Sequence, residues 1–237
     1  MTNTRVNPTI QRPRRPRTAA AAAGVVFAAT LVVAPAGAEA AEFPVFGLPF
    51  AAGQQTGSAG IHSDDGNNGV KNAIDFNPDD GIVRAPLAGT AHLQHCSAGD
   101  WVTIDHGDGW RTGYYHMENI KVTDGQQVEA GTELGHIGNA LPCGGNSTGA
   151  HVHFTLWTLS GTAVSTTAAD PIAAGNWDGV SYERLSGEVA DALGVAVDGK
   201  VFGGWRFNEG PNQYGGTATR VSDGFQVTLP GWFRYDG

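Results

Sequence analysis

Short runs in which apolar and polar residues alternate fill residues 82–157, and turn-forming pairs separate them. The clearest runs are residues 101–104, 112–115, 133–137 and 152–157. A period of two is that of a strand with one buried face. Asp108-Gly109, between two of the runs, is typical of a hairpin turn. We therefore expect an all-β fold built on antiparallel strands.

Composition agrees with this expectation. Glycine accounts for 35 of the 237 residues, about twice its usual share. A turn-rich chain with so much glycine disfavours a helical bundle. The 41% of hydrophobic residues excludes a disordered polar chain. The length allows one domain, or one domain with an appendage.

Beyond residue 157 the pattern is less regular. Residues 182–195 have some helical spacing, and a short helix is one interpretation of them. Alternation returns in residues 201–207, 217–221 and 225–229, which predicts further strands.

The first 40 residues have the pattern of an export signal. Five arginines fall within the first 17 positions, an alanine-rich run covers residues 19–34, and Ala-x-Ala sites end at Ala38 and Ala40. This order is typical of a secretory signal peptide. The alternative is a membrane anchor, but the run is shorter than the roughly 20 apolar residues that a span needs. We predict a secreted, extracellular protein with no stable membrane anchor.

Charge and cysteine content limit the partners and the redox state. Without residues 1–40, nine basic and 22 acidic residues remain, a formal net charge near −13. This disfavours nucleic acid as a partner, because phosphate binding needs clustered Lys and Arg. Cys96 and Cys143 are the only cysteines. In an exported chain they predict one disulfide, with two free thiols as the alternative.

The histidines are concentrated in one region. All eight lie between His62 and His153, and the last 84 residues have none. In His151-Val152-His153, on a strand, both rings would lie on one face about 6.6–6.8 Å apart. One ring could then bind a metal while the other reaches a water or substrate. A pair of surface histidines is the simpler alternative.

Two further polar residues interrupt apolar runs. Asp75 lies between Ile74 and Phe76, and a carboxylate buried there would need a cation or metal as partner. The alternative is an Asp that caps a turn before Asn77. His116 follows two tyrosines, and a single such His is more often a hydrogen-bonded core residue than a catalyst.

Together these residues suggest a metal site. His62, Asp75 and His153 supply two imidazoles and one carboxylate, a set that suits one tetrahedral Zn²⁺ per chain with a water in the fourth position. His116 and His151 would lie beside the water as non-ligands, able to accept a proton or stabilise an oxyanion.

With these residues in this order, the chain resembles the M23 family of zinc metallopeptidases, the lysostaphin-like endopeptidases. The resemblance covers about residues 60–156. It is carried by motifs in the family's order: Gly-Ile-His at 60–62, Ile-Asp-Phe at 74–76, Ala-Pro-Leu-Ala-Gly-Thr at 85–90, Ile-Asp-His-Gly at 104–107, Tyr-Tyr-His-Met at 114–117 and His-Val-His-Phe at 151–154. His62 and Asp75 are 13 positions apart, as in the β-lytic and staphylolysin branch.

The resemblance implies a lysostaphin-like β-sheet core with Gly-rich loops around a groove. It implies that His62, Asp75 and His153 bind zinc and that His116 and His151 are catalytic. The reaction would be hydrolysis of peptide bonds in peptidoglycan cross-links or Gly-rich peptides. Tyr182 lies where that branch offers a substrate-contacting tyrosine.

Three segments follow from these expectations. Residues 1–40 are predicted to be the signal peptide and residues 41–169 the zinc metallopeptidase core. Residues 170–237 are expected to complete the sheet or to form a small accessory module. We expect a monomer. The alternative function is a non-catalytic cell-wall-binding or regulatory module of the same fold.

Overall fold

The computed structural model describes residues 42–63, 70–96, 98–159 and 192–237. In these ranges the chain forms fifteen strands, one 3-10 turn at Gly107–Gly109 and no α-helix. The strands are β1 (Gln55–His62), β2 (Ala73–Pro78), β3 (Ile82–Arg84), β4 (Gly89–Cys96), β5 (Gly99–His106), β6 (Trp110–Tyr115), β7 (Gln126–Val128), β8 (Glu133–His136), β9 (Val152–Leu159), β10 (Ala192–Gly194), β11 (Val201–Phe202), β12 (Trp205–Asn208), β13 (Gly216–Arg220), β14 (Gln226–Leu229) and β15 (Gly231–Arg234). Among the described residues, no helix has the length and apolarity needed to cross a membrane.

Nine of the fifteen strands in the described ranges form the main sheet. Their order is β15-β1-β2-β9-β6-β5-β4-β7, and β10 pairs with β9. Every pairing between neighbouring strands is antiparallel, which confirms the expected fold class. The predicted hairpin at Asp108-Gly109 joins β5 to β6, and Asp108 adopts the left-handed conformation (φ 61°) that this turn requires.

The two faces of the main sheet differ in chemistry because side chains alternate along each strand. Phe76, Val152 and Phe154 lie on the core face and are at most 1% exposed. Asp75 and His153 lie on the opposite face, which we call the site face. Antiparallel pairing therefore separates an apolar core from a polar, accessible surface.

A four-stranded sheet packs against the core face. Its order is β11-β12-β13-β14. Its Trp205 and Phe207 rings lie 4.6 Å and 5.9 Å from the ring of Phe233 in β15, and Phe207 also contacts Phe76 at 5.7 Å. The aromatic cluster thus joins the small sheet to the main one, in which β15 pairs with β1.

The later predicted elements have mixed outcomes. Strands predicted in residues 201–207, 217–221 and 225–229 correspond to β11 to β14. The helix considered for residues 182–195 falls largely outside the described residues, and its last part, Ala192–Gly194, is a strand. The boundary placed between residues 169 and 170 also falls outside them and stays a prediction, as does the segment 1–40.

The structure contains the expected disulfide between Cys96 and Cys143, which are 47 positions apart. Cys96 ends β4, and Cys143 lies in the loop between β8 and β9. The disulfide thus links this loop to the turn of the β4–β5 hairpin. The cross-link also closes this loop in the unfolded chain and so lowers the conformational entropy of that state. In the chain-entropy model this stabilises the fold by roughly 4 kcal/mol.

His106, near the end of the β5–β6 hairpin, is buried at 4% exposure. Its Nδ1 lies 2.9 Å from the carbonyl oxygen of Ala88, so Nδ1 carries the hydrogen and donates it. Its Nε2 then accepts from the hydroxyl of Thr112 at 2.8 Å, and that hydroxyl in turn bonds the phenol of Tyr114 at 2.7 Å. Burial disfavours the charged form of the ring and so lowers the pKa of His106.

Protonation of His106 is therefore expected to destabilise the fold. Since its pKa is lower in the folded than in the unfolded chain, the stability it contributes is present above the unfolded pKa, about 6.5, and is lost as pH falls toward the folded value. Urea unfolding between about pH 7 and pH 5 should show a smaller loss of stability for His106→Gln than for the wild type. His136→Gln, at a side chain that is 43% exposed, should behave like the wild type. Equal pH slopes for all three proteins would contradict the assignment.

Candidate metal centre

Strand register brings Asp75 and His153 together. Asp75 in β2 is paired directly with His153 in β9, so both side chains leave the sheet on the site face. Neighbouring strands lie about 4.8 Å apart, which is within reach of two ligands of one ion. The Asp between two apolar residues thus points away from the core that Ile74 and Phe76 fill.

His62 reaches the same face through a β-bulge. Between Ser58 and Gly60 the register of β1 on β2 shifts, so that Ala59 is an extra residue in β1. Without this insertion His62 would point to the core face, because side chains alternate. A Cβ on Gly60 would lie 2.2 Å from the carbonyl oxygen of Gly215, which precedes β13. Only glycine therefore fits where the bulged strand β1 meets this backbone.

Asp75 lies at the centre of the cluster. Its Oδ1 is 3.0 Å from Nε2 of His62 and 3.1 Å from Nδ1 of His153. All three residues are buried, at 8%, 2% and 3% exposure respectively. Within the described part of the chain, these are the one group of three His, Cys, Asp or Glu residues whose ligand atoms all lie within 4.8 Å of one another.

The hydrogen bonds of His62 fit a bound cation. Its Nδ1 lies 2.8 Å from the carbonyl oxygen of Ser63, and since a carbonyl only accepts, Nδ1 carries the hydrogen. In the neutral ring, Nε2 then directs a lone pair at the carboxylate of Asp75. Two acceptors at this distance repel unless a positive charge lies between them. A metal ion meets that need, and the set of two imidazoles and one carboxylate suits zinc.

The carboxylate is held in its charged form. Burial by itself opposes ionisation of Asp75, but the charged forms of the adjacent His62 and His153, and their hydrogen bonds, outweigh burial and keep the pKa of Asp75 well below its usual range. An ionised, buried carboxylate is the state that metal binding requires.

His151 and His116 lie beside this cluster. Nε2 of His151 is 3.7 Å from Oδ1 of Asp75, and its Nδ1 lies 2.7 Å from the carbonyl oxygen of Gly149, to which it donates. The rings of His116 and His151 are 4.6 Å apart. Nδ1 of His116 donates to the carbonyl oxygen of Ala140 at 2.9 Å. Both rings therefore keep Nε2 as the acceptor when they are neutral.

His116 is kept neutral by its surroundings. Burial, followed by the effect of the nearby His153, lowers the pKa of His116 to about 4. The residue follows the last position of β6 and has a φ of 62°, a left-handed conformation in which His is enriched among non-glycine residues. This bend turns its ring toward His151.

The loop of residues 138–150 forms one side of the centre. Besides the disulfide at Cys143, the hydroxyl of Tyr115 accepts from the amide of Cys143 at 2.7 Å and donates to the carbonyl of Gly144 at 3.0 Å. Gly138 and His151 exchange two backbone hydrogen bonds at the ends of the loop. Ala140, whose carbonyl accepts from His116, therefore lies between two anchored points of the loop, Gly138 and Cys143.

Tyr214 is a residue of the centre that the sequence did not indicate. Its ring stacks on that of His62, with centroids 4.2 Å apart and planes inclined by 24°. The segment between β12 and β13 carries it there: Gly215 exchanges backbone hydrogen bonds with Ala59 and Ile61, and the side chain of Gln213 accepts from the amide of Ser63. Burial and the charge of Asp75 raise the pKa of Tyr214, so its phenol stays protonated.

The structure thus brings together the five histidine and aspartate residues singled out in the sequence. Tyr182, the predicted substrate contact, lies outside the described residues. His92, His95 and His136 lie away from the centre, each within 3.5 Å of a carboxylate oxygen. No sequence spacing indicated Tyr214, since its contact with His62 depends on how the small sheet packs against the main sheet.

Comparison with known proteins agrees with this picture. Residues 69–170 match the family described as Peptidase family M23, a range that begins after His62. Over 121 residues, the chain is 39% identical to Protease LasA of Pseudomonas aeruginosa, a match that covers 46% of this chain and 28% of LasA. It is 32% identical over 120 residues to the β-lytic metalloendopeptidase of Lysobacter enzymogenes, covering 46% of this chain and 66% of that protein. The chain therefore spans less than a third of LasA and just under two thirds of the Lysobacter protein.

A solved structure shares the fold over a larger range. The M23 metalloprotease pseudoalterin, from a deep-sea source, superposes with a TM-score of 0.59 at 24% identity. The alignment covers 82% of this chain and 99% of pseudoalterin. At this identity the likeness concerns the fold, and it extends beyond the residues that match the family.

Removing the ring that stacks on His62 should weaken metal binding. Partners that orient a ligating histidine typically change metal affinity by 10–100-fold when they are lost. We expect Tyr214→Ala to bind zinc about tenfold more weakly than the wild type in competition with a chromogenic chelator. Tyr214→Phe, which retains the ring, should stay close to the wild type. Wild-type affinity in Tyr214→Ala would show that the stack does not position His62.

Proposed function

We propose that this chain, whose residues 69–170 match the family described as Peptidase family M23, is a secreted zinc endopeptidase. The observation that carries the proposal is the buried cluster of His62, Asp75 and His153 with His116 and His151 beside it. A metal-binding protein without a reaction has no need of two further imidazoles next to the ligands.

The three buried residues would hold the metal. Nε2 of His62, a carboxylate oxygen of Asp75 and Nδ1 of His153 face one another. When bound, zinc would act as a Lewis acid that polarises the scissile carbonyl and makes water a nucleophile near neutral pH. Three protein ligands leave a position open for water or substrate, as in other catalytic zinc sites.

His151 and His116 would transfer protons between the attacking water and the leaving amine. Because each ring donates its Nδ1 hydrogen to a backbone carbonyl, each can accept a proton at Nε2 from the attacking water and pass it to the leaving amine. In its protonated form, either ring can also stabilise the negative charge that develops on the carbonyl oxygen. The lowered pKa of His116 keeps it in the accepting form before the reaction.

The substrate class we favour is the peptide of bacterial peptidoglycan cross-links, or another Gly-rich peptide. The resemblance to the β-lytic branch supports this substrate class, and so does the composition of the loop beside the metal centre. The loop of residues 138–149, between β8 and β9, is rich in glycine, which suits a narrow groove for small side chains. The alternative, a wall-binding module without catalysis, gives His116 and His151 no role.

The segment before residue 41 and the matched relatives support export to the outside of the cell. We propose that the working protein begins after Ala38 or Ala40 and acts as a monomer. Intact mass of the protein recovered from the culture medium would test the cleavage position.

Hydrolysis can be measured directly. Purified residues 41–237 would be incubated with isolated peptidoglycan and with a pentaglycine peptide, and new amino termini would be counted. We expect cleavage that a chelator abolishes and that added zinc restores, with product masses identifying the bond. A folded, zinc-loaded protein that cleaves neither substrate would contradict the proposal.

Variants separate the metal ligands from the residues that handle protons. His116→Ala should retain about one zinc per chain and lose roughly 10²–10⁴-fold in kcat, the usual contribution of general acid–base catalysis. Asp75→Asn should lose zinc and activity together. His95→Ala, at a side chain that is 50% exposed and lies away from the centre, is the matched control for the loss of an imidazole. Loss of zinc from His116→Ala would mean that ligands and proton carriers have been assigned wrongly.

A further inference from the structure

The row that joins Trp232, Gly57 and Asn77 crosses three neighbouring strands on the site face. Trp232 of β15 is paired with Gly57 of β1, and Gly57 is paired with Asn77 of β2. Asn77 is two residues after Asp75 on the same strand, so both side chains point to the same face. The row therefore lies on the surface that carries the metal centre, on the side of the sheet opposite the core.

Trp232 lies over the backbone of Gly57. Three atoms of its six-membered ring, Cζ2, Cε2 and Cη2, lie within 3.3 Å of the position that a Cβ on Gly57 would occupy. The indole thus covers the glycine and leans toward β2. Even so, the residue is 56% exposed, which leaves much of a large aromatic surface open to solvent. No ring in the described residues is close enough to pair with it.

The row points to the reacting groups. In β9 the pairing of Phe76 with Val152 places His151 beside Asn77 if the register is extended by one residue. Three strand spacings of about 4.8 Å separate Trp232 from His151 along this line, or roughly 14 Å. An extended peptide advances about 3.3–3.4 Å per residue. A substrate lying along the row would therefore reach Trp232 about four residues from the bond that is cleaved.

The chemistry of the row favours a peptide with small side chains. Gly57 has no side chain and Asn77 has a short neutral one, so the floor between the ring and His151 is low and uncharged. Asn77 can donate to and accept from a peptide backbone. The exposed face of an indole packs well against peptide planes and CH groups.

We propose that Trp232 forms a remote substrate subsite, in which its indole stacks on a Gly-rich peptide segment about four residues from the scissile bond. This inference rests on the proposed endopeptidase function and adds a determinant of substrate length. Gly57 belongs to the subsite because a Cβ there would lie 3.2 Å from Cζ2 of Trp232, so the indole could keep its present position only over a glycine.

Peptides of different length test the subsite. One short glycine peptide would be compared with two longer ones, extended by five residues on the amino or the carboxyl side of the cleaved bond. In the wild type we expect kcat/KM to rise by about two- to tenfold for one of the extensions, the range of an aromatic packing contact. Trp232→Ala should lose this gain and leave kcat/KM for the short peptide unchanged, while Trp232→Phe should retain part of it.

Phe225→Ala is the matched control. Phe225 is as exposed as Trp232, at 53%, but it packs against Trp205 and Arg220 in the small sheet. It should keep the full gain from extension. Thermal unfolding of each variant would identify losses caused by misfolding rather than by the missing ring.

The outcomes separate the two proposals. Cleavage of all peptides with no gain from either extension, or a gain that survives Trp232→Ala, overturns the subsite and leaves the endopeptidase intact. No cleavage of any peptide by zinc-loaded wild type overturns both. Weaker binding of soluble glycan fragments by Trp232→Ala, with the peptide gain unchanged, would assign the indole to sugar rather than peptide.

Discussion

One buried carboxylate determines the arrangement of the centre. Oδ1 of Asp75 lies within 3.1 Å of nitrogen atoms of both His62 and His153. Because the Nδ1 hydrogen of His62 is used by a backbone carbonyl, the neutral ring offers only a lone pair to that carboxylate. The contact is stable only with a positive charge between the groups, and a metal ion supplies it without a change in the protonation of the rings.

The fold provides this contact through strand register. Pairing of β2 with β9 places Asp75 opposite His153, and a single extra residue in β1 turns His62 to the same face. The bulge is held by Gly215, from the connection between β12 and β13 of the small sheet, and the same connection carries Tyr214 onto His62. The C-terminal strands therefore contribute to the core through Phe207 and Phe233 and to the metal centre through Tyr214.

The sequence was informative where the chemistry is local. Alternation of apolar and polar residues predicts the strands of the main sheet, because side chains alternate along a half-buried strand. The unusual Asp75 between two apolar residues and the His-x-His pair predict a shared polar face. The burial of His106 could not be predicted, since it depends on hydrogen bonds to Ala88 and Thr112 from other strands or loops. Tyr214 and Trp232 also escaped prediction, because their positions depend on long-range pairing that no local pattern records.

The most direct test of the metal centre is crystallographic. Crystals of residues 41–237 grown with zinc would be measured on both sides of the zinc absorption edge, and an anomalous difference map would locate the ion. We predict one peak bound by Nε2 of His62, a carboxylate oxygen of Asp75 and Nδ1 of His153, with a solvent molecule as a further ligand. His116 and His151 should lie close to that solvent without binding the ion. A peak elsewhere, or one in which His116 or His151 replaces a predicted ligand, would contradict it.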